Sequence, residues 1–232
     1  MKEELLGIVD LFKTPVTTFV KRAEERNIKK EGIIAGIIAV VLALVTILTA
    51  YMGAMKIINK TYKSLDKYND SAWEEVTKSE FKELKKEAKE EALEDLELGK
   101  TFFRQIITTV IAIALIAGIL FVIARMVKSP KDYIEMLSMT NSAYIIYLIG
   151  FLLNTLFSYI YAPIGSIAFA GAAIFAIIAL ANSFREVIEV EDPNKLVICS
   201  SIVLTIVVAV LVIIAMSYLN SLISSSGLSL LF

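Results

Sequence analysis

The side chains best placed to do chemistry in this 232-residue chain are uncharged and sit in apolar surroundings. Asn154, with Tyr144, Tyr147 and Ser158 near it, falls within residues 136–184, a run of 49 residues without one Asp, Glu, Lys or Arg. Amides and hydroxyls in such a run bond a neighbouring helix or a neutral ligand. For Asn154 the helix contact is the simpler expectation, because an amide in hydrocarbon needs partners. Proton and ion pathways usually keep an ionisable residue in the bilayer, and none lies well inside an apolar run here. Thr108, Thr109, Thr155, Ser200, Ser201 and Thr205 are further polar positions of the same kind.

No histidine occurs, and the one cysteine is Cys199. That excludes His-based acid–base catalysis, the usual His or Cys zinc sites and an intrachain disulfide; Cys199 itself reads as a small buried hydrophobe. Phosphate-loop, nucleophile-elbow and H-E-x-x-H patterns are absent from the sequence. Carboxylates cluster only in the polar segments, where a solvated face accounts for them. The expectation is therefore no enzyme, no cofactor and no metal. A net charge of −1 gives no basic field of the kind nucleic-acid binders carry, so nucleic acid is not expected as a partner.

These positions must be held by membrane-spanning helices. Residues 32–55, 105–124, 136–184 and 196–232 contain no charged residue, whereas the other 102 residues carry all 47 charges. A bilayer core of about 30 Å is crossed by roughly 20 residues at 1.5 Å each, and the 49-residue run holds two spans divided at Tyr161-Ala162-Pro163-Ile164-Gly165. The expected fold is all-α: a polytopic integral membrane bundle of five transmembrane helices, at about 32–55, 106–126, 142–161, 164–184 and 196–218. The first reads as an uncleaved signal anchor, since about 30 mixed-charge residues precede it. Four regions result: an amphipathic interfacial segment (1–31), the first span (32–55), an extramembrane helical hairpin (56–104) and a bundle of the remaining spans with short connectors (105–232).

The polar regions carry their own patterns. In residues 1–31 an apolar stripe (Leu5, Leu6, Phe12, Phe19, Ala23) is expected to lie in the membrane interface, with Thr14 capping a helix that opens at Pro15. Tyr51, Met55, Ile58, Tyr62 and Leu65 continue the first span as a seamed helix. A turn is expected at Tyr68-Asn69-Asp70, and Ser71-x-x-Glu74 reads as a capping box for a returning helix that runs unbroken into the second span. Trp73, Phe81 and Leu84 form its candidate partner surface. Ser129 is expected to cap a short surface helix opening at Pro130. Gly32 and Gly36, and the stripe Ala168, Ala172 and Ala176, are candidate helix-packing positions; the stripe marks the fourth span as the one most completely buried.

By the twelve Lys/Arg of residues 1–31, 125–135 and 185–195 the N-terminus is expected in the cytoplasm and the C-terminus outside. The eleven Lys/Arg of the hairpin lie in a long loop of balanced charge and weigh less.

The order of parts resembles the bacterial Yip-domain family. Asp10-Leu11-Phe12-Lys13-Thr14-Pro15-Val16-Thr17-Thr18-Phe19 is similar to the Pro-x-x-x-Phe start before that family's first span. Lys131-Asp132-Tyr133-Ile134-Glu135-Met136-Leu137 looks like its lead into the middle spans, and Asn182-Ser183-Phe184-Arg185-Glu186-Val187, leading to Lys195, like its last connector. The resemblance implies a non-enzymatic membrane protein with five spans, N-terminus inside and C-terminus outside. Eukaryotic relatives interact with Rab GTPases in vesicle trafficking, but no motif here specifies a GTPase partner. The hairpin is a departure, being longer than a compact connector.

Three functional readings follow. The first is a membrane scaffold or interaction protein, in contact with the lipid bilayer, binding a protein partner through the 56–104 hairpin or the N-terminal helix, or a second copy of itself as a homo-oligomer. The second is a transporter or lipid-handling protein for a neutral or lipid substrate, with a groove around Asn154 and the tyrosines. The third is an envelope sensor whose hairpin signals to the N-terminal segment.

Overall fold

The computed structural model describes residues 9–25, 27–72, 78–95, 97–188 and 194–202, and among these there is helix but no strand. After a helical turn at residues 9–13 come α1 (Pro15–Glu24), α2 (Ile28–Ala72), α3 (Lys78–Asp95), α4 (Leu98–Met126), α5 (Tyr133–Ile160) and α6 (Ala162–Ile188). Residues 194–202 are again helical, with Leu196 and Cys199 buried. Four helices are long and apolar enough to cross a membrane: Ile28–Ser64, Leu98–Met126, Tyr133–Ser158 and Pro163–Ile188. The expected fifth span lies outside the described residues beyond residue 202.

At the centre stands α5, which packs on α1, α2, α4 and α6. It is the least apolar of the four spans and also the most enclosed, with 50 % of its apolar stretch buried against 17 % in α6. This corrects the expectation that the alanine-striped span is buried deepest. Small residues bring α6 close to α5 along one face only; Ile167, Ile174 and Ile178 on its other side are exposed, and in a membrane they meet lipid. The approach is close enough that a Cβ on Gly150 would lie 2.3 Å from Ala172 Cβ. The reversal between α5 and α6 takes a single extended residue, Tyr161 (φ −151°, ψ 106°), at the expected place.

Polar contacts pin α2 to α5 at three levels. Glu31 meets Ser138 and Asn141, Thr49 and Thr155 share a hydrogen bond of 2.7 Å, and Lys56 Nζ donates to the Ser158 carbonyl at 3.1 Å. Both members rise along the chain together, so α2 and α5 run parallel. Lys56 also places a cation on the last-turn carbonyls of α5, where the helix dipole favours it.

Several local expectations are corrected. Part of the apolar stripe of the N-terminal segment turns to protein instead of lipid: Phe19 and Ala23 are buried in the main core with Leu11 beside them, and α1 packs on α5 and α6, whereas Phe12 is 41 % exposed and Leu5 and Leu6 lie outside the described residues. An amphipathic face gains as much from a protein groove as from lipid, and here the groove is available. Residues 68–70 are helical, and α2 runs through Ser71 to Ala72, so the turn is not at 68–70; Glu74 of the expected capping box lies outside the described residues. Asn and Asp cost only about 0.7 kcal/mol each inside a helix, and propagation of an existing helix overrides that. The returning helix does not run into the second span: α3 stops at Asp95, and Glu97 is left-handed (φ 38°) before α4. Tyr62 ties α3 to the far end of α2, whereas α4 packs on the apolar part of α2, and the break lets each pairing form.

Ser129 is not an N-cap. Lys128 is left-handed (φ 63°), its N–H bonds the Arg125 carbonyl at 3.0 Å, and the Ser129 N–H bonds the Ala124 carbonyl at 2.9 Å. That pair of bonds is the Schellman ending of α4, with lysine where glycine is usual. Asp132 then caps α5, its N–H donating to Glu135 Oε2 at 2.6 Å within a capping box, and α5 enters the membrane without a separate surface helix.

Candidate functional site

Two features could serve a function: a buried polar node at one end of the bundle and a cleft midway along it. The node begins with the start of α2. Asn27 Oδ1 accepts from the Lys30 N–H at 3.0 Å, capping the helix, and Glu31 follows in its first turn. There a carboxylate faces the positive end of the helix dipole. Only 2 % of Glu31 is exposed. Its burial is compensated from α5: Ser138 Oγ donates to Oε1 at 3.2 Å, and Asn141 Nδ2 donates to Oε2 at 2.7 Å and to the Glu31 carbonyl at 3.0 Å.

Neighbouring hydroxyls stay on their own helix. Thr140 Oγ1 bonds the Met136 carbonyl and Ser142 Oγ the Ser138 carbonyl. At this end of the bundle it is therefore Ser138 and Asn141 that reach across to α2. Asn141 is fully buried, and its Oδ1 has no hydrogen-bond partner among the described residues. One turn earlier, buried Glu135 faces Lys131 at 3.8 Å. With one α5 donor on each oxygen, the Glu31 carboxylate fastens α2 to α5.

The cleft arises because α4 and α6 both pack on α5 but stand apart from each other. It measures about 410 Å³, with Thr140, Tyr144 and Tyr147 of α5 as floor, Gln105, Thr108, Thr109 and Ile116 of α4 as one wall, and Ala173, Ala176 and Ile177 of α6 as the other. No charged residue lines it. Gln105 Nε2 lies 3.4 Å from Thr109 Oγ1 on its own helix. The Tyr144 and Tyr147 rings are 5.9 Å apart, and Phe169 meets Tyr147 edge-on at 5.2 Å.

The sequence-selected residues divide as follows. Tyr144 and Tyr147 come together in the cleft. Asn154 and Ser158 lie outside its lining, beneath Gly165, where Ser158 Oγ donates to Asn154 Oδ1 at 3.0 Å within the same helix. A Cβ at Gly165 would be 2.3 Å from Ser158 Oγ, so this pair sits at the tightest point of the α5–α6 reversal. Ala172 meets Gly150, Ala176 is buried and Ala168 is half-buried. A Cβ on Gly32 or Gly36 would meet no atom within 4 Å, so neither marks a close helix approach among the described residues. Phe81 packs edge-on against Tyr62 at 5.3 Å, and Leu84, 50 % exposed, accepts a hydrogen bond from the Tyr62 hydroxyl at its carbonyl. Trp73 lies outside the described residues.

Sequence reading missed Glu31, Ser138 and Asn141. The available signal was weak: Ser138, Asn141 and Ser142 share a face where an apolar run begins, and Glu31 is the last charge before another such run. Nothing in the pattern joins two positions 110 residues apart.

No curated protein and no solved structure matches the chain. The Yip1 domain matches residues 9–214, which takes in α1 through α6 and the helical residues 194–202. With nearly the whole described bundle inside that match, the chain belongs to the Yip1 domain family.

Proposed function

We propose that this is a non-enzymatic membrane interaction protein, inserted with the N-terminus in the cytoplasm and the C-terminus outside in the cell membrane of a bacterium or archaeon. One observation carries the reading. At 45 residues α2 is about 68 Å long, more than twice the hydrocarbon thickness, and its far end meets the charged helix α3 through Tyr62, Phe81 and Leu84. The two helices form an arm that projects from the membrane, with the bundle as its base. Its exposed lysines and glutamates, Lys86 and Glu90 among them, keep the arm soluble, and Leu84 offers an apolar contact point.

The test is site-specific photo-crosslinking in native membranes. A crosslinker at Leu84 or Lys86 is expected to capture one defined protein partner, or a second copy of this chain. A crosslinker at Phe81, which faces Tyr62, should give only internal products. Capture of lipid alone from every position along the arm would refute the reading. A second reading, the handling of a neutral lipid, is favoured by the uncharged cleft beside Tyr144 and Tyr147.

A further inference from the structure

From the cleft's chemistry we infer that it binds a lipid quinone: a neutral planar ring with carbonyl oxygens and an apolar tail. The inference rests on the lipid-handling reading and names its ligand class. Five observations select it. The lining holds no charge, so a phosphate or ammonium headgroup would find no counter-charge there. Tyr144 and Tyr147 straddle the midpoint of α5, a helix of 28 residues and about 42 Å. Phospholipid ester groups lie nearer the membrane surface than that.

Neither tyrosine hydroxyl has a hydrogen-bond partner among the described residues. A phenol left unpaired in hydrocarbon carries a desolvation cost, and as a strong donor and poor acceptor it is best satisfied by a carbonyl oxygen. The tyrosine rings also offer aromatic surface to a flat ligand. At about 410 Å³ the space is within the usual range for small-ligand sites and holds a quinone ring with the first part of its tail. The rest of the tail leaves between α4 and α6, whose outward residues Ile111 and Ile177 are exposed.

The test uses the full chain in phospholipid nanodiscs with decylbenzoquinone as probe, bound ligand being read by native mass spectrometry across a titration. Dioleoylglycerol is the comparison ligand. Saturable quinone binding is expected, weakened at least about tenfold in the double variant Tyr144→Phe/Tyr147→Phe, which keeps both rings and removes two hydrogen bonds. Ala173→Leu, which fills the cleft without touching the tyrosines, should abolish binding. Undiminished quinone binding in both variants overturns the proposal. Tighter, tyrosine-dependent binding of dioleoylglycerol overturns the quinone assignment while leaving the neutral-lipid reading in place; binding of neither ligand overturns both.

Discussion

Replacing Asn141 by leucine tests the polar node most directly. The change keeps the branched four-heavy-atom shape of the side chain, in a bulkier form, but removes the two N–H donors that Asn141 offers to Glu31, at 2.7 Å to the carboxylate and 3.0 Å to the carbonyl. The carboxylate keeps Ser138 at 3.2 Å and the dipole of its own helix. A hydrogen bond to a charged group contributes about 1.5–3 kcal/mol, and taking one partner from a buried charge costs about 3–5 kcal/mol. Since Glu31 is 2 % exposed, we expect Asn141→Leu to lose about 3–4 kcal/mol. Glu31→Leu alone strands the amide of Asn141 and should lose about 2–3 kcal/mol. Replacing both removes the desolvation problem itself, so the double variant is expected to lose less than the sum of the two by about 2–3 kcal/mol. Reversible unfolding in mixed micelles, followed by circular dichroism, gives the three free energies. Additivity within about 0.5 kcal/mol would refute the coupling and with it the fastener role of the node.

Three further outcomes follow from local geometry. Lys128→Gly should stabilise the protein by about 1 kcal/mol in the same unfolding assay, because a lysine now holds the left-handed position of the Schellman ending; a loss of stability would contradict it. Gly150→Leu should cost about 1–3 kcal/mol through its collision with Ala172, and Ala172→Gly should restore part of that loss; no rescue would mean the helices meet elsewhere. Tyr62→Phe removes the 2.9 Å bond to the Leu84 carbonyl and should speed amide exchange across α3 several-fold while leaving α5 unchanged, corresponding to about 0.5–1.5 kcal/mol of local stability.

How much of this was legible depended on the distance over which each cause acts. The spans could be read because the bilayer sets their length and excludes charge, and Pro163 beside an extended Tyr161 marks the one good break in a 49-residue run. Tyr144 and Tyr147 stood out as uncharged polar groups in an apolar run, although the cleft they floor depends on α4 and α6 standing apart, which no local pattern records. The stripe through Phe19 and Ala23 was visible, but lipid interface and protein groove ask for the same stripe, so its destination was not. Glu31 sits where an interfacial charge is ordinary, and its burial depends on Asn141, which only the tertiary arrangement brings alongside. The left-handed Glu97 had no glycine or proline to announce it; it answers to two separate pairings of the helices on either side.

The four spans are not fastened alike, and the difference bears on the cleft. Between α2 and α5 there are polar pins at both ends and at Thr49–Thr155. Between α5 and α6 there are backbone-close contacts at Gly150 and Gly165. Packed interfaces of that density do not deform continuously. Between α4 and α5 the Tyr133 hydroxyl bonds the Ala114 carbonyl, midway along α4, at 3.2 Å, and Arg125 faces Asp132 at 3.5 Å near its C-terminal end. On the N-terminal half Ile113 packs against Ile38 and Leu42 of α2, and Gln105, Thr108 and Thr109 carry the α4 wall of the cleft. If the cleft takes a lipid as proposed, entry from the bilayer is expected past that half, whose packing at Ile113 is apolar and not pinned by a charged pair.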